Sequence, residues 1–144
     1  YNRGRCGERG RMSDTTLEHR LVVTKATMSI LDSWKLGIDE MRVLMGLPEN
    51  VRARSFQKFR SHEPFPDDPA VQRRADYVLR IAGALHTSYP TNSNMGWRWL
   101  RQRNRRFGRA PLSLLMEGGE HGLVAVLAEL DCTFSWDQSG SKPA

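Results

Sequence analysis

Residues 61–69 read SHEPFPDDP, and three prolines within nine positions forbid a helix interior there. This stretch divides the 144-residue chain into two parts, and helical periodicity dominates on both sides of it. Upstream, Asp14, Thr15 or Thr16 can cap a first helix reaching about Leu36. Val23, Ala26, Ile30 and Trp34 repeat along one face of it, which Leu17, Leu21, Met28 and Leu31 widen, and Gly37 ends it. A second helix covers 38–46, with Ile38, Met41, Leu44 and Met45 on its apolar side. Gly46, Leu47 and Pro48 form a break, and a third helix covers 49–60, with Phe56 facing inward beside Ala53 and Phe59. Downstream, Val71, Ala75, Val78, Leu79, Ala82 and Leu85 mark a helix over 70–88, and YPTNSN at 89–94 is a turn region. A fifth helix is expected from about Met95 to Phe107-Gly108, and a short one opens at Pro111. Gly118 and Gly119 break it before a last helix at 120–131, in which Leu123, Val126, Leu127 and Leu130 face the core. No segment sustains strand alternation, so the expected fold class is all-α.

Residues 1–14, YNRGRCGERGRMSD, combine three glycines and four arginines with almost nothing apolar, and the expectation there is disorder. The hydrophobic fraction of 39% still fills one modest core. No apolar run approaches the length of a membrane span. Cys6 and Cys132 stand far apart without a CxxC partner, which argues against a disulfide framework or structural zinc. Basic residues near the start are not followed by a hydrophobic stretch, so no export signal is visible and a cytoplasmic protein is expected.

Catalytic signals are poor. His19, His62, His86 and His121 are scattered with no HExxH, and Cys132 has no histidine at a telling spacing. Asp67-Asp68 suits a helix start better than a carboxylate pair. Gly118-Gly119 and Gly122 lack the strand and GK[ST] of a phosphate loop. The expectation is a non-enzyme without metal or cofactor.

Charge is unevenly spread. The net charge of +6 divides into +5 over residues 1–60, −1 over 61–95, +6 over 96–110 and −4 over 111–144. Two basic segments and an acidic end suggest two surfaces with different partners. In the first segment, a short helix, a three-residue break and a basic helix have the spacing of a helix-turn-helix. Arg52, Arg54, Ser55, Gln57 and Lys58 can meet phosphates or base edges, while a plain solvated face on a helical bundle explains them equally well. In the second, Arg98, Arg101, Arg103, Arg105, Arg106 and Arg109 crowd twelve residues, so an acidic partner or phosphate would relieve their repulsion. Internal pairing with Glu117, Glu120 and Glu129 would do the same. Trp97 and Trp99 stand two apart, so a helix buries one and leaves the other partly open for cation–π contact or an interface. Asn104 suits a brace for the FGRAP turn.

The stretch WRWLRQRNRRFGRAPLSLLMEGGEHGLVAVLAEL at 97–130 resembles the toxin-binding domain of the MbcA/ParS/Xre antitoxins. The residues carrying the resemblance are Trp99, Leu100, Asn104, Gly108, Pro111, Leu112, Gly118 or Gly119, Val126 and Leu130. Residues 15–88 fit an Xre-like N-terminal part with less specific residues. The resemblance implies an Xre-like helix-turn-helix bundle at 15–66, a connecting helix and turn at 67–94, a toxin-binding domain at 95–136 and a flexible tail at 137–144. It further implies an antitoxin of a type II pair whose partner is a RES-domain toxin consuming NAD. The C-terminal domain and tail would cover or enter the toxin's NAD pocket, while the N-terminal part supports homodimerisation and operator binding. On that basis Arg98, Trp99, Arg101, Arg105, Arg109, Phe134 and Trp136 are the expected toxin contacts. Arg52, Arg54, Ser55, Gln57 and Lys58 are the expected DNA contacts, although helix three lacks the early glutamine frequent in ordinary Xre repressors. A stand-alone helix-turn-helix repressor is the alternative, and a purely structural scaffold is a third class.

Overall fold

The computed structural model describes residues 2–92 and 94–138, with side chains described for 16–92 and 94–131. Among the described residues it contains seven helices and no strand: α1 (Asn2–Ser33), α2 (Ile38–Met45), α3 (Ala53–Ser61), α4 (Pro69–Ser88), α5 (Met95–Arg101), α6 (Pro111–Glu117) and α7 (Gly119–Gln138). None of them is long and apolar enough to cross a membrane. The all-α class is as expected from periodicity.

The start of α1 at Asn2 lies upstream of the Asp14–Thr16 cap suggested by the sequence. It also lies within the segment expected to be disordered. The packed face of α1 is turned relative to the expected one. Thr24, Thr27, Met28, Leu31 and Trp34 are buried, Val23 and Ile30 are half-buried, and Leu17 is exposed. The two threonines sit in the core because each hydroxyl donates to the carbonyl four residues back, Thr24 to Arg20 O at 2.8 Å and Thr27 to Val23 O at 2.7 Å. Nor does Gly37 terminate α1. Leu36 N–H donates to Leu31 O and Lys35 N–H to Asp32 O, which is a Schellman closure with Lys35 in the left-handed region at φ 59°. Gly37 instead begins α2, where its N–H donates to Glu40 Oε1 at 2.9 Å.

α2 ends at Gly46, φ 69°, as expected for a left-handed cap. The connection to α3 then runs through Arg52, so α3 starts at Ala53 and not near Glu49. Leu47 and Val51 are buried within this connection, and their anchorage explains why the chain does not resume a helix directly after Pro48. Phe56 and Phe59 are buried as expected and meet edge to face at 5.7 Å, whereas Ala53 is exposed.

The proline stretch is tacked to α1 instead of hanging free. Phe65 is buried against Phe59, its N–H donates to Thr24 Oγ1 at 2.9 Å, and Arg20 Nη2 donates to its carbonyl at 2.8 Å. Asp68 then caps α4 by accepting from Ala70 N–H, with Pro69 at the first position, which confirms the reading of this aspartate as a helix start. Val71, Ala75, Val78, Ile81 and Leu85 bury one stripe of α4 against α1 and α7. Leu79 and Ala82 lie at its margin. Leu123, Val126, Leu127 and Leu130 of α7 face inward as the periodicity predicts. One contiguous cluster runs from Met28 to Leu130 and draws on all seven helices. The two halves flanking the prolines therefore share a core.

Candidate functional site

α3 presents the first basic surface. Phe56 and Phe59 hold one side in the core, so Arg52, Arg54, Gln57 and Lys58 are left exposed and Ser55 half-buried. Arg54, Gln57 and Lys58 thus share the outward side of α3 with Ser55 at its margin, as helical spacing imposes, while Arg52 stands exposed in extended backbone just before the helix. Arg60 is withdrawn from that side. Its guanidinium donates two bonds of 2.8 Å to Asp32 on α1, and this pairing raises its pKa further above the usual range. α2 is steadied from α4: Arg74 Nη1 donates to Val43 O and Leu44 O, at 3.2 and 3.1 Å, satisfying carbonyls at the C-terminus of α2. The same guanidinium lies beneath Gly46 and close to Gly119, so it ties α2 to the start of α7.

The second basic segment does not form one long helix. α5 ends at Arg101 and Gln102 is already extended, so the fifth helix stops short of the expected end at Phe107-Gly108. The physical reason is the turn that follows. Asn104 N–H donates to Arg109 O at 3.0 Å and Gly108 N–H to Asn104 O at 2.9 Å. Asn104 Oδ1 accepts from Arg106 N–H at 2.8 Å and Phe107 N–H at 3.3 Å. Gly108 takes φ 70°, which is why a glycine suits this position. Asn104 therefore braces the FGRAP turn as its sequence context suggests. Replacing it with alanine is expected to lower stability by about 1–2 kcal/mol, read by urea denaturation. An Asn104→Ala protein with an unchanged midpoint would show that the loop is held by other contacts.

Leu100 is the buried anchor of α5, and both Trp97 and Trp99 are half-buried, instead of one in and one out. The Lys35 ammonium lies 4.3 Å from the Trp97 ring centroid and the Arg98 guanidinium 5.9 Å from it. Arg101 reaches across to the C-terminus of α1, donating to Trp34 O at 2.7 Å and Lys35 O at 3.0 Å. Arg106 pairs with Glu129 at 3.3 Å, and Arg109 pairs with Glu117. Glu120 pairs with Arg73 of α4, whose hydrogen bond holds its carboxyl below the usual range. This pair supports the fold at neutral pH, and its contribution fades as pH falls through the lowered Glu120 pKa. Arg103 and Arg105 are exposed and make no hydrogen bond or ion pair with another described residue.

α6 and α7 approach each other through glycines. A Cβ on Gly122 would stand 2.0 Å from Leu114 O, and one on Gly118 2.8 Å from the same oxygen. Gly122 is buried, and the crossing exists only because its side chain is a hydrogen. Residues 96–133, spanning α5, the braced loop, α6 and most of α7, match the family model of the antitoxin Xre/MbcA/ParS C-terminal toxin-binding domain. The chain carries an Xre/MbcA/ParS toxin-binding domain. No curated protein matches the chain.

Within the toxin-binding domain, the motif residues have mainly architectural tasks. Leu100 anchors α5, Asn104 and Gly108 shape the loop, Pro111 is buried at the first position of α6, and Val126 and Leu130 fill the core. Among the expected toxin contacts, Arg98, Arg105 and Arg109 are exposed and Trp99 is half-buried. Arg101 is exposed in part while its guanidinium holds α1. The side chains of Phe134 and Trp136 lie outside the described residues, as does the end of the expected tail at 139–144, although the backbone of α7 continues through Gln138. Sequence reasoning missed the interlocking roles of Arg74, Lys35 and Gly122. Only Gly122 left a local signal, a glycine one turn inside a helix otherwise rich in aliphatic residues.

Proposed function

We propose that this chain is the antitoxin of a type II pair, that it neutralises a RES-domain, NAD-degrading toxin by blocking its active site, and that it binds its own operator as a homodimer. The observation that carries this reading is the toxin-binding domain at 96–133 on the same core as a helix that exposes Arg54, Gln57 and Lys58, with Arg52 exposed just before it. A toxin-binding domain implies a toxin partner, and the basic face supplies the phosphate affinity that an operator-binding element needs. Such an antitoxin acts in the cytoplasm and has no catalysis of its own. Its inhibition is steric: substrate cannot enter while the polypeptide occupies the pocket.

Blocking is assigned to the C-terminal end of α7 and the residues beyond it, where Phe134, Trp136 and Asp137 offer aromatic rings and a carboxylate to a pocket built for a dinucleotide. Ending the chain after Asp131 keeps the buried Leu130 and removes this end. The shortened protein is expected to fold yet fail to protect cellular NAD when co-expressed with the product of the neighbouring gene. Full protection by it would remove the tail from the mechanism.

The stand-alone repressor reading is favoured by the same α3 face, and differs in needing no protein partner. It predicts operator binding together with no effect on any NAD-consuming protein.

A further inference from the structure

Arg98 of the second basic segment lies against the Trp97 ring, and the other five arginines fall into two groups that their sequence does not distinguish. Arg101, Arg106 and Arg109 are bound within the fold, to the end of α1, to Glu129 and to Glu117. Arg103 and Arg105 flank Asn104 on the braced loop, exposed and with no hydrogen bond or ion pair to another described residue. Beside the following residues lies a groove of about 310 Å³ between the loop and α7, lined by Arg106, Phe107, Ala125, Ala128 and Glu129. Alanines on α7 leave this groove open, Phe107 gives it an apolar wall, and the Glu129 carboxylate in it is paired with Arg106.

We propose that this loop and groove form a second contact surface for the toxin, distinct from the tail, which receives an acidic segment of that protein with one apolar side chain. Carboxylates of the segment engage Arg103 and Arg105, and the apolar side chain seats against Phe107, Ala125 and Ala128. The inference rests on the antitoxin reading. Two guanidiniums on a loop with fixed backbone lose little freedom on meeting carboxylates, and their planar forks suit bidentate pairing. An arginine rim beside an aromatic-walled pocket is also the composition of a protein interface. Nucleic acid fits less well. Its backbone calls for a continuous basic track, whereas here the positive charge gives way to an apolar groove and to the segment 111–144 of net charge −4.

The test uses the full chain and the product of the neighbouring gene, recovered from their co-expressed complex, with affinity measured by calorimetry at two salt concentrations. Arg103→Glu/Arg105→Glu and, separately, Ala128→Phe are compared with wild type, with circular dichroism to verify folding. The expected result is a loss of affinity of about 10-fold or more for each variant, with a weaker salt dependence for the charge reversal alone. Ala128 is exposed, so its enlargement reads the groove without disturbing the core. Wild-type affinity in both folded variants would overturn this surface while leaving the antitoxin reading intact. Unchanged toxin affinity with reduced binding to the gene's upstream DNA would overturn it in favour of phosphate contact. Failure of the wild-type chain itself to bind would overturn both the surface and the reading on which it rests.

Discussion

Gly122→Ala is expected to destabilise the protein by about 2–3 kcal/mol, and to weaken toxin binding with it. The added methyl would meet a backbone carbonyl, Leu114 O, at 2.0 Å, and no side-chain rotation can relieve that clash. α6 and α7 must part, which disturbs Leu115, Leu123 and Val126, all buried. Helix propensity acts in the opposite direction, since alanine is better than glycine in a helix interior by about 1 kcal/mol. Gly83 separates the two effects. It lies within α4, and a Cβ there meets nothing within 4 Å, so Gly83→Ala is expected to gain up to about 1 kcal/mol. Urea midpoints shifting in opposite directions would establish the crossing as the cause. A Gly122→Ala protein as stable as wild type would mean that the two helices can separate at little cost.

Reversing Arg52, Arg54 and Lys58 to glutamate is expected to reduce affinity for the DNA upstream of the gene by about 100-fold or more at moderate salt. Each phosphate left without its cation lowers the slope of log K against log salt by about 0.9, so three such phosphates correspond to a decrease of roughly 3. The fold should survive, because the three side chains are exposed while Phe56 and Phe59 hold the helix. Protection against the toxin should be unchanged, since these residues lie outside the segment 96–133. Titration of labelled DNA at several salt concentrations reads both quantities. An unaltered slope would show that α3 is not the element that meets DNA.

Helix type and approximate position were legible wherever apolar spacing was the only determinant. α4 and α7 show this best: the inward residues of α7 are those that periodicity selects, and Asp68 and Pro69 start α4 as their chemistry requires. Periodicity misled where polar groups were satisfied locally. Thr24 and Thr27 look like surface residues until their hydroxyls are seen to bond the preceding turn, and this turned the expected face of α1. It misled again where the decisive partner is distant in the chain. Nothing near Arg101 announces the carbonyls of Trp34 and Lys35, so its hold on α1 was hidden, whereas the pairing of Arg106 with Glu129 and of Arg109 with Glu117 was among the alternatives that the charges offered. The early end of α5 has a local origin, because Asn104 competes for the backbone that a longer helix would use. The turn chemistry of Asn104 itself was readable, since that side chain acts on its immediate neighbours.

The antitoxin assignment is tested most directly by following cellular NAD while the product of the neighbouring gene is expressed, alone and together with this chain. NAD is predicted to fall with arrested growth in the first case and to hold steady in the second. NAD that never moves in the first case, or that falls equally in both, would contradict the assignment of this chain as the antidote to an NAD-consuming toxin.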